Sequence, residues 1–381
     1  MQPATTRKAT AATFGTGLVA GVVLLALVTG AGSARAKGDV VLASPPDGRI
    51  YHAAFPDFGG PEDRVRASRI HSFERDAGRP IAWAYFSNNW VRGIHFPAQA
   101  VQTIVAAGRV PFVRMMARSD YDEGGPDENY TMQSIVAGSW DAELRRWCAD
   151  AAATGVPLLV DFGIEVNGEW FPWNGRWNGG GRTEGYGDPT LPDGPERFRD
   201  AYRRIVDLCR AEGAANLTWF FHVDVGSYPE ADWNSDFANY YPGDGYVDWI
   251  GISDYGQLVP GEGWRSFRSR LDRVYAELDA LAAPGEVPIA VLEYGARESR
   301  LRPRKKAHWI KQAIAAVLSG RYPRIEALSY WHERWRNGDG SVSDLRIDSS
   351  HRARRSYRRA VDTPAFTSDA VFSPRSPEPA G

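Results

Sequence analysis

The chain has 381 residues, 43% of them hydrophobic and 24% charged, so material for a large core is present and global disorder is excluded. Its 45 basic and 47 acidic residues leave a formal net charge of −2, which points away from nucleic acid or an anionic membrane as a partner. The 14 Trp exceed what a core of this size usually needs. Stacking on sugars or other flat ligands is one use for them; filling a large core is the other.

Residues 1–36 read as a signal peptide. Arg7 and Lys8 open it, an apolar run centred on Leu18–Val28 follows, and Ala34-Arg35-Ala36 supplies a small-x-small cleavage pattern. The expected product is secreted, without membrane contact after cleavage. An uncleaved anchor is the alternative, because the uncharged stretch is long enough to span a bilayer. Residues 37–47 are a lead-in, 48–362 a single domain, and 363–381, rich in Pro and lacking hydrophobic period, a disordered tail. A monomer is expected. Cys148 and Cys209 match no metal pattern; both fall in helical segments, so a single bridge in an exported protein and two buried thiols are both open.

Within 48–362, eight short apolar runs alternate with amphipathic segments. The runs are Ile50–Phe55, Ile81–Phe86, Val110–Met115, Pro157–Phe162, Leu217–Val223, Val247–Ile252, Pro288–Leu292 and Ile325–Tyr330. They are rich in β-branched and aromatic residues and lack strict alternation, as strands buried on both faces do. Helical spacing appears over 141–153, 195–212, 264–282 and 304–319. Eight strand–helix repeats of this kind predict an α/β fold, a (β/α)8 TIM barrel with one catalytic domain. A doubly wound sheet would need a Gly-rich phosphate loop after its first strand, and none is present.

In such a barrel the chemistry sits at the C-terminal ends of the strands. The fourth run leads into Gly163-Ile164-Glu165-Val166-Asn167-Gly168-Glu169-Trp170-Phe171-Pro172-Trp173, and the seventh ends Leu292-Glu293-Tyr294-Gly295. Two carboxylates at a barrel mouth suit glycoside hydrolysis, one protonating the leaving oxygen and the other attacking the anomeric carbon. Apolar surface from Trp170 and Phe171 is expected to raise the acid's pKa. Tyr255, just past the sixth run, is placed to hydrogen-bond the nucleophile. Trp90, Trp170, Trp173 and Trp331 lie at strand ends as candidate stacking platforms. The acidic run Asp120–Glu123 reads as a solvated surface loop, and no metal or cofactor is expected.

The segment Glu165–Trp173 resembles the acid/base segment of glycoside hydrolase family 26, the β-mannanase family of the (β/α)8 clan. Tyr240–Gly251 resembles that family's approach to its sixth strand, Pro288–Gly295 its nucleophile strand, and Leu345–Ser350 a shorter stretch near its last helix. The resemblance implies Glu165 as acid/base, Glu293 as nucleophile, Asn167 among the substrate-binding residues, and a β-linked polysaccharide, β-1,4-mannan first, as substrate. The family usually has His directly before its acid/base and Arg a few residues earlier; this chain has Ile164 and Asp161. His222 and His332, at the ends of the fifth and eighth runs, are the candidates for the missing donor; a hydrogen-bonded core or rim histidine is the other reading of each. A binding barrel without turnover, and an enzyme trimming other β-glucans or the cell's own exopolysaccharide, are the alternatives.

Overall fold

The structure, a computed structural model, describes residues 39–283, 287–299 and 301–375. The expected signal peptide lies outside them. Eight parallel strands form one sheet: β1 Ile50–Phe55, β2 Trp83–Asn89, β3 Val110–Met116, β4 Leu158–Phe162, β5 Leu217–Asp224, β6 Trp249–Tyr255, β7 Ile289–Gly295 and β8 Ile325–Trp331. Each pairs with the next, and β1 pairs back onto β8 from Tyr51↔Ala327 to Phe55↔Trp331, closing the barrel. Closure leaves these strands no free edge and buries both faces, which is why their sequences do not alternate.

Helices α1 Ala67–Ala77, α2 Ala98–Ala106, α3 Asp141–Thr154, α4 Asp193–Ala211, α5 Phe267–Ala280, α6 Lys305–Leu318 and α7 His351–Val361 intervene. The four segments with helical spacing are α3 to α6. The β5–β6 connection departs from the repeat, holding only a four-residue helix, Asp232–Ser235, and a 3-10 turn, Phe237–Asn239. Pro229 precedes this stretch, and Pro242, Gly243 and Gly245 close it. Cys148 of α3 and Cys209 of α4 form a disulfide with their Cα atoms 4.8 Å apart, the first of the two readings left open.

Much of the aromatic surplus is core. Tyr51, Trp83, Phe112, Phe220 and Trp249, from β1, β2, β3, β5 and β6, make a closed ring of contacts across the barrel, with centroids 6.0, 5.9, 4.6, 5.7 and 6.2 Å apart. Such pairs add about 0.5–1.5 kcal/mol each beyond their buried area.

The tail expectation needs correction. Phe366–Thr367 pairs in parallel with β1, and Phe372–Pro374 pairs antiparallel with Val40–Leu42, so residues through Pro374 are built into the fold. Phe366 is buried and Phe372 packs on the core. Two aromatics in a Pro-rich stretch are too sparse to register as a period, yet each anchors a short strand.

Candidate active site

Glu165 and Glu293 line one cleft of about 720 Å³ at the C-terminal mouth of the barrel. Different devices deliver them. Glu165 sits in the turn after β4 with φ 47°, a left-handed conformation that a non-glycine residue adopts at a cost of about 1–3 kcal/mol. Gly163, two residues earlier, has φ 69°, and a side chain there would strike the Phe198 ring. The chain therefore doubles back and turns the Glu165 carboxyl into the cleft, where its Oε2 accepts a hydrogen bond from Trp170 Nε1 at 2.8 Å. Gly168 makes room for that indole, since a Cβ there would overlap its ring.

Glu293 is aimed by a bulge. Ile252 pairs with Val291, but Ser253 pairs with Glu293, so β7 carries an extra residue at Leu292. Bulges beside active sites commonly redirect a side chain in this way. Glu293 Oε2 accepts from the Tyr255 hydroxyl at 2.5 Å, and its Oε1 lies 3.6 Å from Arg114 Nη2. Burial raises the Glu293 carboxyl to about 7, against the pull of Arg114 and the Tyr255 hydrogen bond, while the charge of Glu165 adds to the rise.

Arg114, from β3, escaped the sequence reading. Its guanidinium lies 4.7 Å from the Trp331 ring and 5.2 Å from Tyr85, and its Nη1 donates to Glu62 Oε2 at 3.0 Å. Burial of an arginine in the middle of a strand was the available signal, masked by the apolar residues around it. Trp331 donates from Nε1 to Glu333 at 3.0 Å; burial, then the charge of Glu62, pushes that carboxyl up to about 8. Asp224, ending β5, is a further carboxyl of the cleft. Burial first and the charge of Glu165 second lift it to about 7, while Arg270 Nη2, 3.5 Å away, acts the other way. Glu123 of the acidic run also lines the cleft, so that run is not wholly a solvated loop: Gly124 N bonds Trp170 O at 3.0 Å and draws it inward.

Tyr255, Trp170 and Trp331 thus line the cleft with the two glutamates. Five candidate contacts do not. Trp90 and Trp173 are fully buried: Trp90 packs against Tyr130 and Phe162, and Trp173 donates to Ile164 O at 2.7 Å. Asn167 is buried and structural. Its side chain donates to Asp224 O at 2.9 Å and accepts from Asp224 N at 2.7 Å, stapling the Glu165 turn to the end of β5. His222 lies inside the barrel with Nδ1 2.7 Å from Asp161 Oδ2 and Nε2 2.8 Å from Ser253 Oγ. His332 is also buried, accepting from Ile347 N at 2.9 Å, and burial holds its imidazole well below its usual value. Among the described residues, no group of three or more His, Cys, Asp or Glu side chains is arranged to hold a metal ion.

Comparison with known proteins addresses the same region. Residues 136–293, from the segment before α3 to the glutamate of β7, match the family model for glycosyl hydrolase family 26. Over that segment the chain is similar to glycosyl hydrolase family 26. It is 29% identical over 297 residues to Endoglucanase H of Acetivibrio thermocellus, covering 77% of this chain and 29% of that one. It is 27% identical over 206 residues to Mannan endo-1,4-beta-mannosidase A and B of Caldalkalibacillus mannanilyticus, covering 51% of this chain and 33% of that one. The chain thus spans about a third of the length of these curated relatives. The fold is shared with the catalytic domain of the Bacillus sp. JAMB-750 GH26 endo-beta-1,4-mannanase, at TM-score 0.59 and 16% identity over 84% of this chain and 87% of that one. Within this barrel, Ile164 is fully buried, so the residue before Glu165 presents nothing to the cleft. Asp161 is equally buried and spends its Oδ2 on His222 and on the Tyr85 hydroxyl, 2.9 Å away.

Proposed function

We propose that this protein is an exported retaining β-glycanase that cleaves β-1,4-mannan by double displacement, with Glu165 as acid/base and Glu293 as nucleophile. The observation that carries the reading is two carboxylates in one cleft with unlike surroundings. Glu293 is buried against a cation and a hydroxyl that favour its ionised form, as a nucleophile requires. In the first step Glu293 forms a bond to the anomeric carbon while Glu165 gives its proton to the departing oxygen. In the second, Glu165 takes a proton from water, whose oxygen displaces Glu293 and frees the sugar. Trp170 and Trp331 offer ring faces to the sugar chain. Export is supported by the Cys148–Cys209 disulfide, a bond that persists in oxidising compartments.

A second reading, in which the substrate is a β-glucan, is favoured by one observation. Position 164 is a buried Ile, and the longer of the two curated matches is to a protein named an endoglucanase. A reducing-sugar screen over mannan, mixed-linkage β-glucan and xylan decides between them. The roles are tested with Glu165→Ala and Glu293→Ala. Glu165→Ala should still form a glycosyl-enzyme from aryl glycosides with activated leaving groups, and azide should restore its turnover. Glu293→Ala should form no covalent intermediate from any substrate. Full activity in either variant ends the hydrolase reading, and swapped behaviour reverses the roles.

A further inference from the structure

Beneath the two cleft carboxylates lies a buried polar layer that the proposed chemistry does not use. Tyr85 of β2, Asp161 of β4, His222 of β5 and Ser253 of β6 are all fully or almost fully buried. Their side chains meet across the barrel interior. The Tyr85 hydroxyl donates to Asp161 Oδ2 at 2.9 Å and lies 3.4 Å from His222 Nδ1; Asp161 and Ser253 hold the two ring nitrogens of His222. The layer touches both catalytic strands' ends. Ser253 pairs in register with Glu293 at the bulge, and His222 O accepts from Val166 N at 3.1 Å, next to Glu165.

An acid, a basic ring and two hydroxyls this deep must balance their charges, because an unpaired buried charge costs several kcal/mol. Asp161 is the acid, and His222 is the only base in contact with it among the described residues. We propose that His222, paired with Asp161 as an imidazolium, is a positioning residue that supplies a buried positive charge beneath the cleft and favours the ionised form of Glu293. The inference rests on Glu293 being the nucleophile.

Direction supports this. Burial presses the His222 imidazole down, but the charge and hydrogen bond of Asp161 outweigh it, with Glu293 and Glu165 adding to the rise, so the ring stands above its usual value. Reciprocally, His222 is one of the groups that lower Glu293. The groups facing Glu293 are Tyr85 from β2, Arg114 from β3, Glu165 from the turn after β4, His222 from β5 and Tyr255 from β6. Arg114 divides its charge between Glu293 and Glu62, which leaves a second cation with work to do.

The test uses the full-length protein with 15N-labelled histidine, the His222 signals being assigned by their absence in His222→Gln. The ring should still be mainly imidazolium at about pH 6.5. Linkage requires that Glu293→Gln lower the pH at which it titrates. A ring mainly neutral at that pH, or one unmoved by Glu293→Gln, overturns the proposal without any turnover being measured. In kinetics, His222→Gln and the isosteric Asp161→Asn should both move the acid limb of the kcat/KM profile upward, by about one pH unit. Loss that is uniform across pH, with the limb fixed, would mean a merely structural role and also overturn it. Should His222→Gln fail to fold, Asp161→Asn and the Glu293→Gln titration carry the test. Retained activity in Glu293→Ala would sink the nucleophile assignment instead.

Discussion

Replacing Tyr255 by Phe removes one hydroxyl from the cleft and leaves the ring volume almost unchanged. That hydroxyl donates to Glu293 Oε2 at 2.5 Å, inside a site where the carboxyl is 3% exposed. A hydrogen bond to a charged group contributes about 1.5–3 kcal/mol. Because the bond favours the ionised form, losing it should raise the carboxyl by about one to two pH units. The starting value is about 7. The ionised fraction would then fall about ten- to a hundredfold at pH 6, but only about two- to tenfold at pH 8. The assay is kcat/KM from pH 5 to 9 on whichever β-glycan the wild type cleaves, with the acid limb fitted for both proteins. Tyr255→Phe should lose most activity in acid and recover toward alkaline pH. A drop of equal size at every pH, with the limb in place, would refute the idea that the hydroxyl acts by holding Glu293 ionised.

Three further outcomes follow from the geometry. Trp170→Phe removes the Nε1 donor to Glu165, so kcat should fall at least about tenfold on polysaccharide but far less on aryl glycosides with activated leaving groups; equal losses on both would place Trp170 outside the proton-transfer step. Cys148→Ala opens a disulfide spanning 61 residues of sequence, and loop entropy of that size contributes about 4 kcal/mol, so the melting temperature should fall by about 5 °C; an unchanged melt would remove the bridge as a stabilising element. Asp224 is raised to about 7, so folding favours its protonated form and its ionisation erodes stability as pH rises from about 4 to 7. Asp224→Asn imitates the protonated form, and its melting temperature relative to wild type should climb between pH 5 and 8; a difference that is flat or falls with pH contradicts the burial argument.

The barrel was legible because its eight strands are buried on both faces. Continuous apolar runs such as Ile81–Phe86 and Pro288–Leu292 announce that condition without any partner in view. Glu165 and Glu293 were legible for the same reason: a carboxylate closing an apolar run has no inexpensive structural explanation. What failed was the direction of side chains at strand ends. Trp90 and Trp173 occupy positions as plausible as those of Trp170 and Trp331, yet they turn inward, toward Phe162 and the Ile164 carbonyl. No local pattern separates the two cases, because the choice depends on which loop arrives to cover the ring. Arg114 was missed since its partners, Glu62 and Glu293, lie 52 and 179 positions away in sequence (62 to 114, and 114 to 293) and meet it only after closure. The tail was misread because strands of two and three residues carry too few side chains for a period.

The two carboxylates are positioned on different length scales, and this bears on how separable their functions are. Glu165 is oriented by its own segment: the left-handed turn, the Trp170 donor five residues on, and the Asn167 staple to Asp224. Distant backbone bonds, such as Val166 N to His222 O at 3.1 Å and Gly124 N to Trp170 O at 3.0 Å, tie that segment down without touching the carboxyl. Glu293 depends on the whole barrel, since its bulge arises from pairing with β6, its cation from β3 and its hydroxyl from Tyr255. A change in the 165–174 loop can therefore rebuild the surroundings of Glu165 while Glu293 keeps its setting. A change in barrel packing cannot touch Glu293 without also disturbing the pairings that close the sheet. Ile164 fits this division: it alters the residue beside the acid and leaves Arg114 and Tyr255 in place around Glu293. The Glu165 side of the cleft can therefore vary through local changes in its loop, whereas the surroundings of Glu293 draw on β3, β6 and β7 together.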